Sequence, residues 1–275
     1  MSVTAVHILQ VGACRHPEIM SRRGGHLCPV DFPALVGLIV HESWGPILFD
    51  TGYDRRFFTA TEPFPERLYR LATPVSLPEQ PLEDQLKTYG YAPDDIAAVV
   101  VSHFHGDHVA GLTRFTQARI FCARAGLEAT RRGSRFTRVR QGLLGALVPE
   151  DIDRRATFFE VLPPEALGDD LAPFTHGVDL CGDGSLIAVE LPGHCKGHWG
   201  LWVPQARLFF IGDAAWSLDA VEDNVPPPAL TTGLLGHTAT YRATLTALNA
   251  LSKRGRVEII PSHCARTAGK WVRHG

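Results

Sequence analysis

The chain is predicted to fold as a layered α/β domain, and three observations carry that prediction. Short apolar runs at 97–101, 186–190, 208–211 and 257–260 have the length and composition of buried strands. Segments with helical spacing lie around them; in 238–251, Leu245, Leu248 and Leu251 fall on one face. The alternation runs through all 275 residues without a repeat, a linker or a low-complexity tract, so one domain spanning 1–275 is expected.

Taken in order, residues 3–11 read as the first strand. Residues 14–29 are rich in Gly, Arg and His and have no period, so they read as a loop, with His16 and His26 near the mouth of a site. Residues 35–41 and 46–49 read as a hairpin turning at Glu42, Ser43, Trp44 and Gly45. Between 55 and 71 the apolar residues Phe57, Phe58, Phe64, Leu68 and Leu71 are interrupted by Pro63 and Pro65, which predicts short helical pieces. Residues 81–89 make a better helix: Pro81 opens it, Glu83 and Asp84 sit in the first turn, Lys87 comes late and Gly90 stops it. Residues 110–115 are expected to enter a helix and 120–122 to form a short strand. From 114 to 140 there are eight arginines and one acid, Glu128. This is either a solvated helical face or a basic rim for an anionic substrate. Residues 125–174 exceed what a scaffold needs between two neighbouring loops and are expected to form a helical and loop cap over part of the site. The Pro-rich stretch 225–228 reads as a pocket wall.

The strongest chemical signal follows the run at 97–101. In Ser102-His103-Phe104-His105-Gly106-Asp107-His108, three imidazoles and a carboxylate fall within six residues. A loop fed by a rigid strand can turn His103 and His105 the same way and aim Asp107 and His108 beside them. Two nitrogens on one side and a mixed nitrogen–oxygen pair on the other suit two adjacent metal ions better than one. Imidazole and carboxylate admit zinc, iron, manganese or nickel. The other three runs each end in a further candidate ligand: His194, Asp213 and His263.

The stretches SHFHGDH at 102–108, PGHCKGH at 192–198, FIGDA at 210–214, IIPSH at 259–263 and ILFDTG at 47–52 together resemble the metallo-β-lactamase-fold hydrolase superfamily. The resemblance implies an αββα four-layer sandwich, with two mixed sheets inside and helices outside. It implies one metal on His103, His105 and His194, a second on Asp107, His108 and His263, and Asp213 bridging them. Two divalent ions are expected, zinc first, with iron, manganese or nickel as alternatives. Asp50 and His198 are expected behind the ligands, where a carboxylate accepting an imidazole N–H fixes the ring. Two adjacent cations acidify a shared water, and Asp107 is expected to move the proton to the leaving group. The implied reaction is hydrolysis of an ester, lactone or thioester of a small molecule, with Trp216 and Phe104 at the substrate.

Within the superfamily, Asp213-Ala214 and the later Glu222-Asp223-Asn224-Val225-Pro226 look most like the acyl-homoserine lactonases. Those enzymes carry a tyrosine three residues past the bridging aspartate, where this chain has Trp216. An indole offers one N–H donor and no hydroxyl, which suggests a bulkier or flatter acyl group. Glyoxalase II-like thioesterases, RNA-processing nucleases and non-catalytic metal-binding modules resemble the chain less.

The remaining expectations come from composition. A formal net charge of −2 implies no polycation for nucleic acid. No run of about 18 apolar residues is present, so no membrane span is expected. The N-terminal stretch lacks a basic segment followed by a long apolar one, so no secretory signal is expected. Six cysteines without a C-x-x-C pattern suggest reduced thiols and a cytoplasmic setting. The oligomeric state stays open, a homodimer included.

Overall fold

The computed structural model of the chain describes residues 2–272. Two sheets lie face to face. The first has seven strands, in chain order β1 (Val3–Pro17), β2 (Pro29–His41), β3 (Gly45–Phe49), β4 (Val75–Ser76), β5 (Ala98–Val100), β6 (Arg119–Cys122) and β7 (Ala156–Phe158), arranged β4-β1-β2-β3-β5-β6-β7. The second has six: β8 (Pro164–Ala166), β9 (His176–Asp179), β10 (Ile187–Glu190), β11 (Trp199–Val203), β12 (Leu208–Gly212) and β13 (Glu258–Pro261), arranged β13-β12-β11-β10-β9-β8. Each sheet is mixed. In the first, β3, β5, β6 and β7 run parallel after an antiparallel β1–β2–β3 meander; in the second, only β12 and β13 are parallel.

Side chains alternate across a strand with period two, and this sorts them into layers. In β3, Ile47 and Phe49 face the second sheet, while Leu48 faces outward. The inner core joins them to Leu35, Ile39, Val100 and Phe121, against Leu201, Val203, Phe210 and Ile260 of the second sheet. The outer face of the first sheet packs Val36, Leu38, Leu48 and Val99 on Phe57 of helix α1 (Arg56–Ala60), with Leu82 and Leu86 of the helix at Leu82–Lys87 alongside. The outer face of the second sheet packs Trp202, Phe209 and Ile211 on Tyr241, Leu245, Leu248 and Leu251 of the helix at Thr238–Lys253. The result is the four-layer αββα sandwich, a member of the architecture that buries both faces of both sheets.

Several elements differ from expectation. The first strand runs to Pro17 rather than stopping near Val11, because residues 13–17 pair with 29–33 of β2 and Cys14 also pairs with Val75. That pairing turns the expected loop into strand up to Pro17 and carries His16 into the interior edge of the sheet. The expected helix at 110–115 is displaced: a short helix at Gly106–Val109 begins within the ligand loop, and 112–114 form a single 3-10 turn. The segment 125–174 is only in part a cover. Its strands β7 and β8 close one edge of each sheet, and the stretch near 136–142 alone reaches the site.

Candidate metal centre

The candidate ligands come from strand ends, as layered α/β folds place them. After β5 the chain delivers Ser102 to His108; after β10, His194; at the end of β12, Asp213; after β13, His263. All seven are buried. They form two groups, in each of which the donor atoms lie within 4.8 Å of one another. One holds His103, His105 and His194, with Cys195 beside them; the other holds Asp107, His108, Asp213 and His263.

Asp213 faces both groups. Its Oδ2 lies 3.3 Å from His194 Nε2 and 3.9 Å from His103 Nε2. Its Oδ1 lies 3.2 Å from His263 Nε2 and 3.4 Å from His108 Nε2. One carboxylate thus presents one oxygen to each cluster. His105 Nδ1 is 3.1 Å from His194 Nε2 on the first side. Asp107 Oδ2 is 3.0 Å from His263 Nε2 and 3.4 Å from His108 Nε2 on the second.

The ring orientations are fixed from behind. Asp50 Oδ2 accepts from His108 Nδ1 at 2.7 Å and from Ser102 Oγ at 2.7 Å, and its Oδ1 accepts from the Ser102 backbone N–H at 2.8 Å. Ser102 Oγ lies 3.0 Å from His103 Nδ1, so one carboxylate steers a ligand of each cluster. Asp50 adopts φ of +62°, a left-handed conformation uncommon outside glycine, as happens where a site over-determines the backbone. His263 Nδ1 donates to the Pro33 carbonyl at 2.8 Å. His198 holds the bridge: its Nδ1 donates to the Leu191 carbonyl at 3.1 Å, and its Nε2 accepts from the Asp213 backbone N–H at 3.0 Å. Gly212 at φ +53° permits this, since a Cβ there would lie 2.8 Å from His198 Nε2.

The electrostatics fit cation binding. Burial lowers the basicity of His103, His105 and His194, and the neighbouring imidazoles hold His103 further down, so all three present lone pairs. Burial also holds His198 down to about 4. In the second group burial pushes Asp107 up, but His108 and His263 outweigh it and keep it well below the usual carboxylate range. Burial opposes protonation of His263, yet Asp213 and Asp107 raise it to about 10. Among the described residues, His103 Nε2, His108 Nε2 and Asp213 Oδ1 are buried without a hydrogen-bond partner. Such orphans are costly unless something satisfies them, and two of them, His108 Nε2 and Asp213 Oδ1, face each other at 3.4 Å. The donor set therefore fits two metal ions, one on each side of Asp213, and imidazole with carboxylate suits zinc.

The centre floors a cleft of about 570 Å³. His105, Asp107, His194 and Asp213 form its base, and Met20, Leu68, Tyr69, Phe136, Leu234 and Trp216 its apolar walls. Trp216 lies in the cleft with its ring 5.1 Å from that of His263 and 5.2 Å from that of Phe32. His16 also lines it, 6.3 Å from Trp216, whereas the His26 side chain is exposed. Phe104 does not line it. Its ring is buried in the outer core against Gly126, because the flanking His103 and His105 both face the first cluster and force the middle side chain the other way. Tyr53, Tyr69, Phe136 and Leu234 went unnoticed in the sequence; they come from separate short helices and turns with no spacing signal.

The N-acyl homoserine lactonase AttM of Rhizobium radiobacter is 28% identical over 193 residues, which span 69% of this chain and 66% of AttM. An N-acyl homoserine lactonase of Bacillus thuringiensis is 27% identical over 238 residues, spanning 82% of each chain. A solved N-acyl homoserine lactone hydrolase, with the product N-hexanoyl-L-homoserine bound at its catalytic metal center, superposes with a TM-score of 0.75 at 19% identity, covering 98% of this chain and 97% of that one. The family model of the metallo-beta-lactamase superfamily matches residues 30–263, a stretch that takes in every ligand described above, and the chain belongs to that superfamily.

Proposed function

We propose that the protein is a dinuclear metal-dependent hydrolase that opens an ester or lactone bond of a small molecule, with N-acyl homoserine lactones as its substrate class. The observation that carries this reading is the single carboxylate, Asp213, offering one oxygen to each of two ligand clusters at the base of an apolar cleft. His103, His105 and His194 would hold one ion and Asp107, His108 and His263 the other. Bound there, the ions supply Lewis acidity, polarising a carbonyl and acidifying water.

The protein's own residues do the rest. Asp50, Ser102 and His198 keep the ligand rings and the bridge in place, so no reorganisation is needed during reaction. Asp107 uses Oδ2 toward His108 and His263. We assign to its carboxylate the proton taken from the attacking water and returned to the leaving oxygen. The apolar walls exclude water and hold the acyl group. Trp216 supplies an indole face beside His263, which favours a second reading on the same chemistry: an ester with a flatter or bulkier acyl group. The six cysteines, free in the structure, support a reducing cytoplasmic setting, and no helix among the described residues is long and apolar enough to cross a membrane.

The test is turnover. N-Hexanoyl and N-decanoyl homoserine lactones should be opened, with release of acid followed in a pH-stat, and the rate should vanish on chelation and return with zinc. No turnover of lactones or of simple aryl esters by the metal-loaded protein would refute the reading.

A further inference from the structure

Of the eight arginines in 114–140, four pair with a carboxylate and three more contact a backbone carbonyl or an aromatic ring. Arg114 pairs with Asp54 at 3.0 Å, Arg131 with Asp153 at 2.9 Å and Arg132 with Glu128 at 2.9 Å. Arg135 donates to Glu66 at 2.9 Å and Arg138 to the Gly133 carbonyl at 2.8 Å. Arg124 stacks on Phe158 at 4.0 Å, and Arg119 lies over Trp44 at 5.3 Å. Arg140 is left over. Among the described residues it makes no ion pair, hydrogen bond or ring contact.

Arg140 ends the helix at Arg135–Arg140 and lines the metal cleft together with Phe136 and Val139 of that helix. It also lines an adjoining groove of about 350 Å³, which shares Arg140, Leu234 and Leu235 with the cleft. The opposite wall of this groove is the loop that carries ligand His194, and it contributes Lys196. Lys196 likewise has no ion-pair or hydrogen-bond partner among the described residues. No Asp or Glu lines the groove, and the only carboxylates lining the cleft are the metal-facing Asp107 and Asp213. Two exposed, unpaired cations from separate elements therefore border one groove beside the metal centre, with no carboxylate among its lining residues. A guanidinium and an ammonium in that setting select an oxyanion.

We propose that the groove between Arg140 and Lys196 is a subsite for an oxyanionic group, carboxylate or phosphate, carried by the substrate away from its scissile bond. The proposal rests on the hydrolase reading for the location of the scissile bond, and it extends the substrate class beyond neutral acyl lactones.

The test separates charge recognition from turnover. Binding of straight-chain dicarboxylates, from adipate to sebacate, is measured calorimetrically on the zinc-loaded protein against monocarboxylates of equal carbon number. One carboxylate can engage the metals in both series, so the affinity ratio isolates the second charge. The ratio should be greatest at one chain length and fall by up to about fivefold for each cation removed in Arg140→Gln and Lys196→Gln, as expected for a solvent-accessible ion pair. Arg140→Lys should retain part of it, and about 0.5 M salt should erase most of it by screening. A general loss of ligand affinity cancels in the ratio. A ratio unchanged in the double variant at every chain length, or failure of any dicarboxylate to bind the native protein, would overturn the proposal. Lactone turnover on the same native sample is scored separately. Its absence with the dicarboxylate ratio intact would count against lactones as substrates and leave the oxyanion subsite standing.

Discussion

Asp50→Asn keeps the size of the side chain and tolerates the left-handed backbone, yet it removes an acceptor that cannot be spared. The native carboxylate takes three donors: Ser102 N–H, Ser102 O–H and His108 Nδ1–H, all at 2.7–2.8 Å and all buried. An Asn has one oxygen to share among them. If that oxygen serves Ser102 N–H, the amide NH2 faces His108 Nδ1. His108 must then present a lone pair there and move its proton to Nε2, the atom aimed at Asp107 and Asp213. A protonated Nε2 cannot ligate, and loss of such a supporting partner typically costs roughly 10- to 100-fold in metal affinity. If the oxygen instead serves His108, the Ser102 N–H is orphaned at about 1–3 kcal/mol. Zinc affinity should be measured by competition with a chromophoric chelator, and the thermal midpoint on the same sample. We expect the second zinc to weaken or the midpoint to drop. Native affinity for both ions with a native midpoint would refute the claim that Asp50 sets the ring.

Asp107→Asn should lower kcat by roughly two or more powers of ten, the scale of lost acid–base help; near-native turnover with zinc content verified on the same sample would reduce Asp107 to a replaceable ligand. Trp216→Tyr should raise the rate on homoserine lactones if a hydroxyl beside His263 meets the carbonyl, and should lower it on bulky aryl esters if the indole face holds the acyl group; no change on either would remove Trp216 from substrate contact. For the zinc-free protein, stability should peak near neutral pH. Histidines held neutral, His198 at about 4 among them, contribute stability above the unfolded imidazole value and lose it as pH falls, for His198 by at most ~3 kcal/mol. His263, raised to about 10, contributes in full below the unfolded value and loses it as pH rises toward 10. A thermal midpoint of the zinc-free protein that stays flat from pH 4 to pH 10, at roughly constant ionic strength, would contradict both assignments.

The two candidate ligand clusters were legible because each of their residues sits where an apolar run stops, and a strand that stops at a polar residue delivers it to the sheet edge. Asp50 was legible for the same reason, at the end of β3. Phe104 was misassigned although the period-two rule bears on it: ligands at His103 and His105 leave the residue between them pointing away. The pocket walls were not legible. Leu68, Phe136 and Leu234 lie on three helices of six or seven residues, too short for spacing to mark an apolar face. The extension of β1 to Pro17 was hidden because its partners in β2 and β4 are remote in sequence and its own residues, Cys14 to Pro17, have no alternation. The pairing of Arg114 and Arg135 was likewise invisible, since Asp54 and Glu66 lie 60 and 69 residues away from them.

The central claim is that one carboxylate joins two metal sites. Metal content per chain, measured by elemental analysis after zinc loading and desalting, tests it most directly when native protein and Asp213→Ala are compared. Two equivalents in the native protein, and weakened retention at both sites in the variant, are the predicted result. A single equivalent in the native protein that zinc soaking does not raise, or an Asp213→Ala protein that keeps both ions with native affinity, would contradict it.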